Sequence, residues 1–293
     1  MSDDAMPGAP ASAIDGYLER DGVRLHYRLQ GDGPHELVCI HGVGSYLEAW
    51  QGTINRLGPG FRVLTFDLRG HGQSSLVKGR YEIDDFVDDA LALADHVGFG
   101  SFNLAGFSLG GLIAQRLALT HPQRLRRLVL LSTVAGRTAE ERSRVLARLA
   151  ALQAGDRGSH YDASLSRWLT EEFQARHPNL ISELRSRNAS NDPDCYASAY
   201  RVLAQTDFGG LIDQIAVPTL IATGEEDQGS NPRMSLFMHE CIPNSRVHIL
   251  PKLRHSILTE APEEVADLIG GFLLEEAPQR MTCSDLAYRG YAK

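Results

Sequence analysis

Residues 102–119 read FNLAGFSLGGLIAQRLAL. Phe102–Ala105 is a short apolar run of strand character, Gly106-Phe107-Ser108-Leu109-Gly110 is a glycine-bounded turn, and Leu109–Leu119 carries apolar residues at helical spacing. A G-x-S-x-G serine between a strand and a helix sits on a sharp turn that strains its backbone and presents its hydroxyl at the sheet edge. Glycines on either side let strand and helix approach without Cβ clashes. The helix N-terminus favours negative charge developing beside it. Ser108 is therefore read as a nucleophile; an incidental serine in a glycine-rich turn would need neither flanking element.

The rest of the chain supplies the frame for that turn. Tyr17–Arg20 and Val23–Leu29 flank Asp21-Gly22, a two-residue hairpin signal. Glu36–Ile40 is a buried-strand pattern opening into His41-Gly42, a helix pattern covers Glu48–Leu57, and Arg62–Phe66 is a strand ending at Asp67-Leu68-Arg69-Gly70-His71-Gly72. Ile83, Phe86, Val87, Ala90, Leu91 and Ala94 recur at helical spacing with acidic residues between them. Leu128–Leu131 is the strand after the serine helix. Alternating aliphatic strands and helices predict a mostly parallel sheet covered on both faces, an α/β fold. From 137 to 206 the pattern is helical only, beginning with a Thr138/Glu141 capping box. This stretch is read as a helical cap inserted over the C-terminal edge of the sheet. Alternation resumes at Thr219–Thr223, Pro232–Cys241, Val247–Leu250 and Ala261–Leu274. The expected organisation is a core of 17–136 and 207–275, the cap, a disordered lead over 1–16 and a tail over 276–293.

Composition narrows the function classes. With 43% hydrophobic and 23% charged residues the chain reads as an ordinary globular protein. A net charge of −8 argues against nucleic acid or an anionic membrane as partner. The first residues have neither a basic start nor an apolar core, so no secretory signal is expected. The longest uncharged run, Val97–Gln115, holds five glycines and resolves into strand, turn and helix rather than a membrane span. Cys39, Cys195, Cys241 and Cys283 show no metal-ligand spacing and no disulfide framework. Cytoplasmic location, a small-molecule substrate and no metal or organic cofactor are the expectations; a homo-oligomer stays open.

A serine needs a base, and the base needs an orienting carboxylate. After a nucleophile turn of this kind the acid and then the histidine follow in the chain. His255 lies in a loop after the last strand pattern, and Asp227 in Gly224-Glu225-Glu226-Asp227 after Thr219–Thr223. Both follow strand C-termini, where an open parallel sheet builds its site. Glu225 and Glu226 are the rival acids, and Asp227 is preferred on its position. Among the other histidines, His41 and His71 sit in glycine turns and read as loop-shaping, while His26, His96, His121, His239 and His248 fall in strand or helix patterns. Two backbone donors should hold the oxyanion: Leu109 N–H at the helix start and Val43 N–H in the loop His41-Gly42-Val43-Gly44.

With these residues placed, the chain resembles the α/β-hydrolase family from about Tyr17 to Leu274. The matching blocks are His41-Gly42, Asp67–Ser74, Gly106–Gly110, Gly224–Asp227, and His255 with Glu260-Ala261-Pro262-Glu263. The resemblance implies an eight-stranded sheet and a hydrolase working through an acyl-enzyme. The cap is most similar to that of 3-oxoadipate enol-lactonases, through Trp168 to His177-Pro178 and Asp192–Tyr196, with Cys195 departing from the usual glycine. Hydrolases of acylaminomethylene-succinates share the frame. Haloalkane dehalogenases and epoxide hydrolases use an aspartate where Ser108 stands. C–C hydrolases of meta-cleavage products usually carry a tryptophan where Ser256 stands, which disfavours that chemistry, and perhydrolases share the triad. The resemblance points to a small carboxylate-bearing lactone, ester or activated amide, met in aromatic or nitrogen-heterocycle breakdown. Arg137, Arg144, Arg148 and Arg167 near the cap suit carboxylates, although each equally fits a solvated helix face. Trp168 either lines the pocket or packs the cap. A non-hydrolytic receptor on the same scaffold is the alternative from another class, and an intact Ser–Asp–His set argues against it.

Overall fold

The computed structural model describes residues 13–155 and 158–275, without the side chains of 158–162. Eight strands form one sheet in the order β1-β2-β4-β3-β5-β6-β7-β8. They are β1 (Ala13–Arg20), β2 (Val23–Gln30), β3 (His35–Ile40), β4 (Phe61–Phe66), β5 (Phe102–Phe107), β6 (Leu125–Leu131), β7 (Thr219–Gly224) and β8 (Ser245–Leu250). β1 and β2 pair antiparallel, as do β2 and β4; every pairing from β4 to β8 is parallel. Asp21 and Gly22 turn the first hairpin with φ of 50° and 79°, the type I′ geometry that matches strand twist.

β1 reaches back to Ala13, which faces Gln30 across the hairpin. Residues 13–16, read from the sequence as part of a disordered lead, are therefore strand. Their mixed composition, Ala-Ile-Asp-Gly, hides this, because an edge strand needs only backbone pairing. The remainder of that lead, 1–12, and the tail 276–293 lie outside the described residues.

The sheet's alternation sorts its side chains into two cores. Val38, Ile40, Leu104, Leu128, Leu130 and Ile221 point to one face. There they meet Phe86 and Leu93 of α2 (Ile83–His96) and Leu112 and Leu117 of α3 (Leu109–Thr120). Leu37, Cys39, Ala105, Phe107, Val129, Leu131 and Ala222 point to the other, against Ile54 of the first helix, α1 (Gln51–Leu57), and Ile269 and Phe272 of the last, 262–274. The Cys39 thiol is a core group, as its strand position suggests, and burial pushes its pKa well up.

β3 leads through α1 to β4 on one side, while β5 pairs on its other side. The chain order thus reverses between β3 and β5, which opens a crevice at their C-terminal ends. Ser108 follows β5 and Gly42-Val43 follows β3.

Between β6 and β7 the chain is helical: α4 (Ala139–Gln153), α5 (Gly158–Trp168), α6 (Glu171–Arg176), α7 (Pro178–Ser190) and α8 (Pro193–Gln205). The Thr138/Glu141 capping box is formed, with Glu141 N–H donating to Thr138 Oγ1 at 3.2 Å and Thr138 N–H donating to Glu141 Oε2 at 2.7 Å. Val145, Leu149 and Leu152 of α4 pack on Tyr196, Tyr200 and Ala204 of α8, with Val43 against them. This helical layer therefore rests on the loop after β3. After β7 come α9 (Pro232–Cys241), β8, α10 (Ile257–Glu260) and α11 (Pro262–Leu274). No helix among the described residues is long and apolar enough to cross a membrane.

Candidate active site

Ser108 has φ 55° and ψ −113°, in the left-handed half of backbone space. A non-glycine residue there costs about 1–3 kcal/mol and persists only when its surroundings hold it. They do: its N–H donates to Leu131 O at 2.9 Å, and its carbonyl accepts from Gly111 N at 3.0 Å and Thr133 Oγ1 at 2.8 Å. The turn closes because position 106 has no side chain. A Cβ on Gly106 would stand 2.2 Å from the carbonyl oxygen of Gly110. Across the crevice, a Cβ on Gly42 would stand 3.0 Å from Ser108 Cβ, so the loop after β3 lies directly on the serine. Neither Val43 N–H nor Leu109 N–H donates to a protein carbonyl among the described residues. Two amides, one in the loop after β3 and one at the start of α3, are thus left without a carbonyl partner among the described residues.

Asp227 follows β7 and is buried. Its Oδ1 accepts from Gly229 N at 2.8 Å and Ser230 N at 2.9 Å, the turn that carboxylates make with amides two and three residues ahead. Its Oδ2 accepts from His255 Nδ1 at 2.7 Å, with the Thr223 hydroxyl 3.2 Å away. A carboxylate only accepts, so Nδ1 carries the proton and Nε2 is left with its lone pair. Burial pulls the Asp227 carboxyl upward. The neighbouring imidazole, through its field and its hydrogen bond, and the two amides outweigh that and hold the group below the usual carboxylate range. Its rivals are occupied elsewhere: Glu225 accepts from Lys252 N at 3.0 Å, and Glu226 lies 3.7 Å from Arg254.

Ser108, Asp227 and His255 line one cavity of about 160 Å³, together with Val43 and Trp168. That is below the roughly 300–1,000 Å³ of pockets for drug-sized ligands, which suits a small substrate. No hydrogen bond joins Ser108 to His255 among the described residues; such bonds are often loose before substrate binds. His41 and His71, read as loop-shaping, are buried behind the site. His41 Nδ1 lies 2.7 Å from Gly42 O and its Nε2 accepts from Leu68 N, while burial lowers its pKa. Burial and then His41 bring His71 down to about 3. Both stay neutral and brace the loops.

The four arginines separate by what already holds them. Arg137 donates to Thr206 O at 2.7 Å and Leu203 O at 2.9 Å, and burial lowers its pKa to about 10. Arg144 pairs with Glu140. Arg148 donates to Tyr200 Oη at 3.2 Å and Arg167 to Ser164 Oγ at 2.6 Å, and neither meets a carboxylate among the described residues. Burial, and then the charge of Arg148, hold Arg167 below its ordinary pKa. Trp168 packs with Leu165, Leu169 and Ile181, and its ring centroid lies 6.5 Å from that of His255. Sequence reasoning missed Gly229 and Ser230, for which the Asp-x-Gly-Ser spacing was the available signal. It also missed Arg187, whose guanidinium lies over the Tyr46 ring at 3.5 Å on the cavity wall. No group of three or more His, Cys, Asp or Glu among the described residues could hold a metal ion.

A parallel sheet with a strained serine between a central strand and its helix, and later strand ends converging on it, defines the α/β-hydrolase class. The chain belongs to that family: residues 36–262 match the alpha/beta hydrolase fold. It is a hydrolytic enzyme. It is 33% identical to (E)-2-((N-methylformamido)methylene)succinate hydrolase of Acinetobacter baylyi, over 85% of this chain and 93% of that protein. It is 29% identical to 3-oxoadipate enol-lactonase 2 of the same organism, over 84% of this chain and 91% of that one. The crystal structure of the enol-lactonase from Burkholderia xenovorans LB400 superposes with a TM-score of 0.83 at 28% identity, covering 89% of this chain and all (100%) of that one.

Proposed function

We propose that the chain hydrolyses a small carboxylate-bearing lactone, ester or activated amide through an acyl-enzyme on Ser108. The observation that carries this reading is one small cavity holding Ser108, the Asp227–His255 pair, and Arg148 and Arg167, which are held by hydroxyls and by no carboxylate among the described residues. His255 Nε2 takes the Ser108 proton as Oγ attacks the carbonyl carbon. Val43 and Leu109 amides receive the oxyanion. The tetrahedral intermediate collapses as His255 protonates the leaving oxygen or nitrogen. Water, deprotonated by His255, then releases the acid and restores Ser108. Asp227 holds the productive tautomer and stabilises the imidazolium.

Arg148 and Arg167 are assigned to substrate carboxylate. A guanidinium pair in a half-buried pocket is unfavourable alone and favourable around an anion. The names of the two relatives, an amide-bearing succinate hydrolase and an oxoadipate lactonase, support an acidic substrate. The setting proposed is cytoplasmic breakdown of aromatic or nitrogen-heterocyclic compounds.

The test is a panel of enol-lactone, acylaminomethylene-succinate, aryl ester and ring-cleavage diketone, each run with the parent and with Ser108→Ala. Turnover of one acidic substrate, lost by several orders of magnitude in Ser108→Ala, is expected. Full activity in Ser108→Ala ends the serine assignment. Equal rates on a dicarboxylate and its methyl ester end the arginine assignment.

A further inference from the structure

The loop that carries His255 is bonded on both sides of the histidine to the last turn of α5. Arg254 Nη1 donates to Ser166 O at 2.6 Å and to Leu169 O at 3.1 Å. Ser256 N–H donates to Trp168 O at 2.9 Å. Five residues after His255, Glu260 accepts from Thr170 N at 3.0 Å and from Thr170 Oγ1 at 2.5 Å. Helix C-terminal carbonyls lack intrahelical donors, so an arginine there satisfies them and complements the dipole. The same turn of α5 carries Arg167 and Trp168, both on the cavity wall.

We propose that Arg254 is a positioning residue, and that with Thr170 and Glu260 it locks the substrate-holding end of α5 to the His255 loop as one rigid unit. This rests on the assignment of His255 as the base. The physical argument is one of registration. A substrate anion held by Arg167 is placed relative to α5, whereas the proton acceptor is placed relative to the sheet. Without a direct tie, errors in the two positions add, and misplacement by about 1 Å can cost about a hundredfold in rate. The Arg254, Ser256 and Glu260 bonds remove that freedom. Glu226 at 3.7 Å and Glu171 at 3.9 Å flank the Arg254 guanidinium and balance its charge. Glu226 is also the residue before Asp227, so the charge that steadies Arg254 comes from the acid's own turn.

The test uses the full chain with Arg254→Ala, Arg254→Lys and Thr170→Val. Two rates are measured: turnover of an ester substrate, and inactivation by a small uncharged fluorophosphonate, which needs His255 but no arginine clamp. Arg254→Ala is expected to slow inactivation about tenfold or more and to lower kcat similarly, with KM changed less than about threefold. Lys at 254 reaches one carbonyl and restores part of the rate. Thr170→Val, which keeps the side-chain shape, is expected to slow inactivation about threefold and decides the matter if Arg254→Ala does not fold. Parental inactivation and kcat in the soluble variants, with only a lowered Tm, overturn the proposal. Ser108→Ala run beside them separates the failures. If Ser108→Ala is still phosphonylated and turns over, the catalytic assignment falls and the lock with it; if it is silent while the others match the parent, only the lock falls.

Discussion

Replacing Asp227 by Asn removes one charge and leaves the shape of the turn intact. The amide oxygen can keep both bonds to Gly229 N and Ser230 N, at 2.8 and 2.9 Å in the parent. The amide nitrogen must then face His255 Nδ1, which sits 2.7 Å from the carboxylate. An NH2 donor there forces Nδ1 to accept, so the ring proton moves to Nε2. The nitrogen that should take the Ser108 proton then has no lone pair to offer. The lost charge adds to this: opposite charges about 4 Å apart at an effective dielectric near 20 are worth about 4 kcal/mol. That alone is about three decades in rate, and the wrong tautomer brings the total to about 10⁴, or about 5.4 kcal/mol. The fold should tolerate the change, since the buried group exchanges a carboxylate for an isosteric amide with its two backbone bonds kept. The assay is kcat/KM on the best panel substrate, with thermal unfolding in parallel. A variant that keeps its Tm and stays within tenfold of the parent would refute the assignment of Asp227 as orienting acid.

Other outcomes follow from the cap. Arg167→Met should raise KM for a dicarboxylate substrate by about 10–100-fold, the worth of a lost charge-assisted hydrogen bond, and leave a neutral aryl ester almost unaffected; equal effects on both substrates would place Arg167 in packing instead. Glu141 joins the α4 capping box to Arg233 of α9 and to Asn231, the residue that caps it. Burial raises its pKa, and the Arg233 and Asn231 hydrogen bonds and Thr138 N–H together bring it down to about 2 from an ordinary 4.5. A carboxylate held below its unfolded value stabilises the fold above about pH 4.5 and loses that contribution as pH falls toward about 2. Glu141→Gln should lower Tm at neutral pH and flatten its fall through that window; an unchanged acid slope would show that the network carries no stability.

Much of the fold is legible along the chain because its rules are local. The strand, glycine turn and helix around Ser108 occupy consecutive residues, and period-two alternation in β3, β5 and β6 assigns each side chain to a face without reference to the rest. The Asp21-Gly22 hairpin and the Thr138/Glu141 capping box are equally local. Harder features depend on remote backbone. Residues 13–16 carry no strand signal, since what pairs them is the far arm of the hairpin. Arg137, Arg144, Arg148 and Arg167 look alike in sequence. Arg137 is set apart by carbonyls 66 and 69 residues away, Leu203 and Thr206.

The sequence by itself determined the strand, glycine turn and helix around Ser108 and the alternation of strands and helices, because each is a pattern over neighbouring residues. Position after Thr219–Thr223 favours Asp227 over Glu225 and Glu226, and the tertiary structure places its carboxylate on the imidazole; only the tertiary structure decided what holds each arginine on the cavity wall. It also decided that the last turn of α5 is bonded to the His255 loop. These depend on which surfaces are buried against each other once the helices between β6 and β7 pack on the loop after β3, and no local pattern encodes that.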